Sequence, residues 1–255
     1  MLGISSIGSA SGTADYFAKE NYYSSEQGHA TSEWFGKAAE DLNLQGSVDD
    51  KVLLEVLEGK FGDQEKTGKA KEKHNSGRDL TFSMPKSASI LALVGGDTRI
   101  TDAYMSVVKE TLGYVESNLI VTRQRGEGNK RETIKTGNLL AALFPHDTSR
   151  AGDPNAHIHA IIANGTKDEN GKYRAINFKD LYDVRYELNQ IVQERFRHAL
   201  HQMGYQTRDK DKGGHWEIVG VSQKSIDGMS KRSAQINDAV AHITCLLYTS
   251  PSPRD

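Results

Sequence analysis

Three histidines pose the first chemical question. The stretch "FPHDTSRAGDPNAHIHAIIAN", residues 144–164, carries His146, His157 and His159, three of the nine histidines in the chain. Side chains two apart on a strand share a face. A strand over 155–164 therefore points His157 and His159 the same way and sends Ile158 and Ala160 into the opposite layer. A neighbouring strand ending at Phe144 can deliver His146 to the same place. Three imidazoles on one face, with no carboxylate inside the triplet, match neutral nitrogen ligands that leave coordination positions open on a metal. A single strand histidine needs only a hydrogen bond to explain it. Two on one buried face with a third nearby leave several ring nitrogens to satisfy, which favours a metal site. We expect one divalent ion, Mg, Mn, Zn or Ni, because imidazoles alone do not select among them.

Such a cation works as a Lewis acid or generates hydroxide, and the available nucleophile decides which. Tyr16, Tyr22 and Tyr23 cluster near the start of the chain. A phenol is a poor nucleophile at neutral pH unless a base or a metal helps it. The phosphodiester it forms nevertheless conserves the energy of the bond it breaks, so the same enzyme can cut and rejoin. Tyrosines that merely cover a helix face would look the same in sequence.

These residues need elements to position them. "TADYFAKENYY" (13–23) reads as a short helix and turn, and "SEWFGKAAEDL" (32–42) as a second helix. A third opens at Ser47 with Asp50 as a capping box, turning Val52, Leu53, Val56 and Leu57 inward. Residues 62–78 are nearly devoid of apolar side chains and rich in lysine, which predicts a solvated loop. "RDLTFSMPK" alternates as a strand, with Asp79, Thr81 and Ser83 on one face and Leu80 and Phe82 on the other. Helices are predicted at 87–94, about 101–119 and about 180–203. Strands are predicted at 119–124, 132–145 and 155–164, the last turning through "ENG" into 172–178, and a small hairpin lies in "YQTRDKDKGGHWEIV". Strands joined by hairpins and separated by uneven helices point to an α+β fold with helices packed on an antiparallel or mixed sheet.

Composition bounds the rest. The 32 basic and 34 acidic residues give a formal net charge of −2, so a nucleic-acid surface has to be a local patch. The single cysteine, Cys245, forms no internal disulfide, and no apolar run reaches bilayer-spanning length, so a cytoplasmic setting is the expectation. No GxxxxGK[ST] loop is present, which excludes a P-loop motor within these residues. The text changes character at "CLLYTSPSPRD", and 245–255 reads as a non-native tail behind a domain of residues 1–244 cut from a longer chain.

"HDTSR" (146–150), "PNAHIHA" (154–160), "DLTFSMPKS" (79–87), "SEWFGKAAEDL" and "DYFAKENYY" together resemble the relaxase domain of the MobF (TrwC/TraI-type) conjugative relaxases, within the HUH endonucleases. The resemblance runs from Met1 to about residue 241. It implies an antiparallel sheet with helices, a three-histidine metal site, and nicking of one DNA strand at a plasmid transfer origin through a 5′-phosphotyrosyl intermediate. Mapped onto this chain, His146, His157 and His159 match the ligands, Tyr16 the first nucleophile, Asp79 the nearby acid, and Tyr22 and Tyr23 the second tyrosine pair. Where family members often carry two adjacent tyrosines, this chain has Tyr16 followed by Phe17. Lys86 and Arg150 flank the core motifs as candidate phosphate contacts. Arg123, Arg125, Lys130, Arg131 and the 62–78 loop are candidates to line a DNA groove. The resemblance also implies single-stranded or hairpin DNA as partner, relaxosome accessory proteins, a secretion coupling protein, a monomer, and export with the DNA. Two other readings stay open: a zinc hydrolase with no covalent tyrosine intermediate, and a non-catalytic single-strand binding module.

Overall fold

The computed structural model describes residues 1–17, 32–65, 75–125, 130–211, 213–232 and 234–235. Tyr22, Tyr23, most of the basic loop and the 245–255 tail lie outside the described residues. In chain order the elements are β1 (Leu2–Ser6), α1 (described over 10–17), β2 (Glu33–Phe35), α2 (Lys37–Asp41), α3 (Asp50–Leu57), β3 (Lys60–Phe61), β4 (Gln64–Glu65) and β5 (Gly77–Ser83). They continue with α4 (Lys86–Leu93), α5 (Thr98–Leu119), β6 (Val121–Arg125), β7 (Arg131–Lys135), β8 (Ala141–Thr148) and β9 (Pro154–Ala163). The last are β10 (Thr166–Lys167), β11 (Tyr173–Arg174), α6 (Lys179–Asp183), α7 (Arg185–Gln202), β12 (Thr207–Asp209), β13 (Trp216–Ile218) and α8 (Gln223–Gly228).

The α+β expectation holds. Five strands form one antiparallel sheet in the order β1-β5-β9-β8-β2, so β9, the histidine strand, is central. Its two faces obey the period of two. Leu80, Phe82, Leu143, Ile158, Ala160 and Ile162 point into a core built with Tyr104, Val108 and Leu112 of α5 and Val192, Phe196 and Leu200 of α7. The opposite face carries Ala142, Phe144 and Ile161, covered by Ala14 and Phe17 of α1 and Leu53 and Leu57 of α3. Further along the same face this cover ends, and the polar residues begin.

Several local expectations are corrected. "SEWFGKAAEDL" is not one helix: Glu33–Phe35 is a strand on β8, and only Lys37–Asp41 is helical. Gly36 is the cause, since it holds φ 101°, and a Cβ there would sit 2.2 Å from the Leu139 carbonyl oxygen. α3 is capped by Asp49, whose side chain accepts from the N–H groups of Lys51 and Val52, while Ser47 pairs with Ser32 instead. Leu53, Val56 and Leu57 are buried as expected, whereas Val52 is half-buried. The strand predicted at 132–145 divides into β7 and β8, interrupted where Gly137 takes φ 56°. The helix predicted at 180–203 breaks at Val184 into α6 and α7.

Candidate active site

Strand register assembles the histidines. His146 lies inside β8, just beyond the predicted strand end, directly opposite His157 on β9, and Phe144 lies opposite His159. The three ring centroids form a near-equilateral triangle with sides of 5.0–5.2 Å. One ligand atom from each lies within 4.8 Å of the others.

Two of the three rings are oriented by acceptors at Nδ1. His159 Nδ1 lies 2.8 and 2.9 Å from the Asp79 carboxylate oxygens. β5 pairs Asp79 with Ile161, so this contact is the diagonal neighbour on the same face. His157 Nδ1 lies 2.8 Å from the Asn155 carbonyl oxygen. Donation from each Nδ1–H fixes the tautomer with a lone pair on Nε2. In His146, Nε2 is buried without a hydrogen-bond partner.

The electrostatics agree. Burial, reinforced by His159 and His157, pushes His146 down to about 3, and burial likewise lowers His157. Neutral imidazoles are the form that binds cations, and a buried ring nitrogen lacking a partner is unfavourable unless something takes its lone pair. The donor set therefore fits one divalent ion held by nitrogen.

Tyr16 stands at the rim, 44 % exposed, with its ring centroid 6.3 Å from that of His146. Phe17 packs inward: it is 3 % exposed, stacks on Phe144 at 4.4 Å, and closes against His159 at 5.3 Å.

A cavity of about 710 Å³ unites Tyr16, Asp79, the three histidines and Arg150. Lys86 is placed differently. Its ammonium donates to the Pro154 carbonyl at 2.8 Å, pinning the start of β9, and it does not line this cavity. Burial lowers its pKa, against the raising effect of Asp153 and Glu217. Arg123 is exposed on β6 beside Asn177, and Lys130 and Arg131 are exposed at β7, all outside the cavity lining. Thr81 and Ser83, placed by alternation on the Asp79 face, also line the cavity, as do Asn155 and Arg232, which sequence reasoning passed over. Asn155 shares the histidine face by the same period of two and was within reach of it. Arg232 carries no such pattern.

The chain is similar to conjugation proteins. The TrwC relaxase family profile matches residues 10–253. The multifunctional conjugation protein TraI of Escherichia coli strain K12 is 36 % identical over 253 residues, covering 94 % of this chain, and a second Escherichia coli TraI is 38 % identical over the same length. The chain spans 14 % of the length of these relatives. A metal-bound structure of the conjugative relaxase TrwC in complex with oriT DNA superposes with a TM-score of 0.86 at 35 % identity, covering 95 % of this chain and 83 % of that one. TrwC complexed with a 27-mer DNA comprising the recognition hairpin and the cleavage site gives 0.84 at 34 % identity, covering 96 % and 84 %. A copper-bound TrwC–oriT complex gives 0.87 at 34 %, with the same coverage. Fold, site geometry and near-complete sequence coverage thus agree, and the chain belongs to the TrwC relaxase family.

Proposed function

We propose that this domain nicks one strand of DNA at a plasmid transfer origin by transesterification onto Tyr16, yielding a 5′-phosphotyrosyl link and a free 3′-hydroxyl. The observation that carries the proposal is the convergence, in one cavity, of Tyr16 with three imidazoles whose ligand atoms lie within 4.8 Å of one another. The similarity to TrwC structures holding oriT DNA supports single-stranded or hairpin DNA as the substrate.

His146, His157 and His159 would hold the cation, which when bound supplies positive charge to the non-bridging oxygens of the scissile phosphate. Asp79 is already the acceptor for His159, so we assign it to holding that ring rather than to proton abstraction. The Tyr16 oxygen attacks phosphorus in line. Its bond to phosphorus forms as the bond from phosphorus to the 3′-oxygen breaks, the phenolic proton passes to solvent at the exposed rim, and the departing 3′-oxygen takes a proton from water. Tyr22 and Tyr23 are assigned a second transfer after Tyr16 carries a strand. Arg150, a cavity-lining guanidinium, is assigned to backbone phosphate. In the whole protein we assign this chemistry to the cytoplasm, with relaxosome proteins and a coupling protein as partners, a monomeric relaxase domain, and export with the DNA.

Incubation with a hairpin-bearing transfer-origin oligonucleotide tests the reading. Mass spectrometry is expected to place the adduct on Tyr16, and Tyr16→Phe is expected to form none. Normal cleavage by Tyr16→Phe would identify a metal-hydroxide hydrolase instead. Binding without cleavage by the native chain would identify a binding module.

A further inference from the structure

We infer that Arg232 is a DNA phosphate-binding residue of this site and that Asp153 is the residue that positions it. The inference rests on the DNA reading above and adds to the site a segment that lies far from the histidines in sequence.

After β13 the chain crosses α4, where Val221 and Ile226 pack with Ile90 and the partly buried Met229. It then runs against the β8–β9 turn. The Lys231 backbone N–H donates to Asp153 Oδ2 at 2.8 Å, and Lys231 Nζ lies 3.8 Å from Oδ1. Asp153 is only 3 % exposed and immediately precedes Pro154, the first residue of the histidine strand. Its turn is closed by Ser149, whose N–H donates to the Asp153 carbonyl at 2.9 Å and whose hydroxyl accepts from the Asp153 N–H at 3.2 Å. A buried carboxylate must find partners, and this one takes them from a segment 78 residues downstream. The anchor is a backbone N–H, so it fixes where the next residue stands whatever the side chains are.

That next residue, Arg232, lines the cavity of Tyr16 and the three histidines. Arg150, on the turn that Asp153 closes, lines it as well. Among the described residues neither guanidinium has a carboxylate partner, and the one carboxylate lining the cavity, Asp79, is engaged by His159. Two permanent cations facing a cavity whose only carboxylate is occupied make a site for an anion. A guanidinium matches phosphate oxygens with a two-pronged fork. The anion is the backbone phosphate of the strand beside the scissile bond, the polyanion that has to enter to reach Tyr16.

A salt titration tests this without requiring cleavage. Binding of a labelled oligothymidylate to the intact chain is measured over a series of salt concentrations. Arg232→Ala is expected to flatten the log–log salt slope by about 0.7, the value for one phosphate contact on a single strand. Arg232→Lys is expected to restore it. Arg195→Ala, which removes a charge paired with Glu110 on α5, is the control expected to leave it unchanged. Asp153→Ala is expected to match Arg232→Ala, and the double variant to be no flatter than either single. A native slope in Arg232→Ala overturns the phosphate contact, and a native slope in a folded Asp153→Ala overturns the positioning role. Should Asp153→Ala fail to fold, Lys231→Pro deletes the same donor while leaving the carboxylate, and a native slope there has the same meaning. The Tyr16 adduct, measured in parallel, separates the two proposals. An adduct with an unchanged slope sinks only Arg232, and a flattened slope without an adduct sinks only the strand transfer.

Discussion

Phe17 lies face to face with Phe144, their ring centroids 4.4 Å apart and their planes at 21°, so the residue after the candidate nucleophile is clamped to the strand that carries His146. Tyr16 packs edge-on to Phe17 at 5.0 Å and inherits its position from that clamp. Phe17→Ala opens a cavity in a layer where both rings are almost fully buried and is expected to cost about 3–5 kcal/mol of stability. Thermal denaturation reads the loss, and adduct yield is expected to fall further than DNA binding does. A variant with native stability would show that the stack holds nothing in place.

Asp79→Asn keeps the shape of the side chain and removes the charge that His159 Nδ1–H meets. Partners of this kind typically contribute 10–100-fold to metal affinity, and a loss on the order of that range is expected by calorimetric titration. Unchanged affinity together with lost cleavage would instead assign Asp79 to the phenolic proton.

Replacing His157 and His159 by Ala removes the two candidate ligands that β9 contributes and is expected to abolish both bound metal and cleavage. Elemental analysis of the purified variant decides the point. Full metal occupancy would place the ion elsewhere.

The metal-free protein is expected to lose stability on acidification, through His146. Its folded value of about 3 lies below the ordinary 6.5, so below pH 6.5 the unfolded chain binds a proton that the folded chain refuses. The stabilisation is fully present above pH 6.5, falls as pH drops toward about 3, and amounts to a few kcal/mol in order of magnitude. Denaturant midpoints of native chain and His146→Asn across that window test it. Parallel curves would remove His146 as the cause.

Much of the candidate site was legible because a strand repeats every two residues. Asp79, Thr81, His157 and His159 follow from alternation alone, and the register delivers His146 opposite His157. What stayed hidden depends on contacts between distant segments. Nothing local to "DYF" says that Phe17 meets Phe144, and nothing local to "SKRS" says that Lys231 meets Asp153. The boundaries that failed did so where one residue overrode a good pattern: Gly36 and Gly137, with positive φ, cut a predicted helix and a predicted strand. The bond from Lys86 to the Pro154 carbonyl is another contact between distant segments, since sequence does not distinguish a lysine facing solvent from one donating to a distant carbonyl.

The two faces of the sheet are guarded unequally. Among the described residues, α5, with 22 residues, and α7, with 18, stand behind it, packed into the largest apolar cluster, whereas the eight-residue α3 and α1 cover the histidine side. Excursions that lift the smaller cover disturb far fewer apolar contacts than those that separate the long helices from the sheet. Local opening is thus expected on the histidine side before the other side yields. Amide protons of α3 are accordingly expected to exchange well before those of α5 and α7, with the central strands last to open.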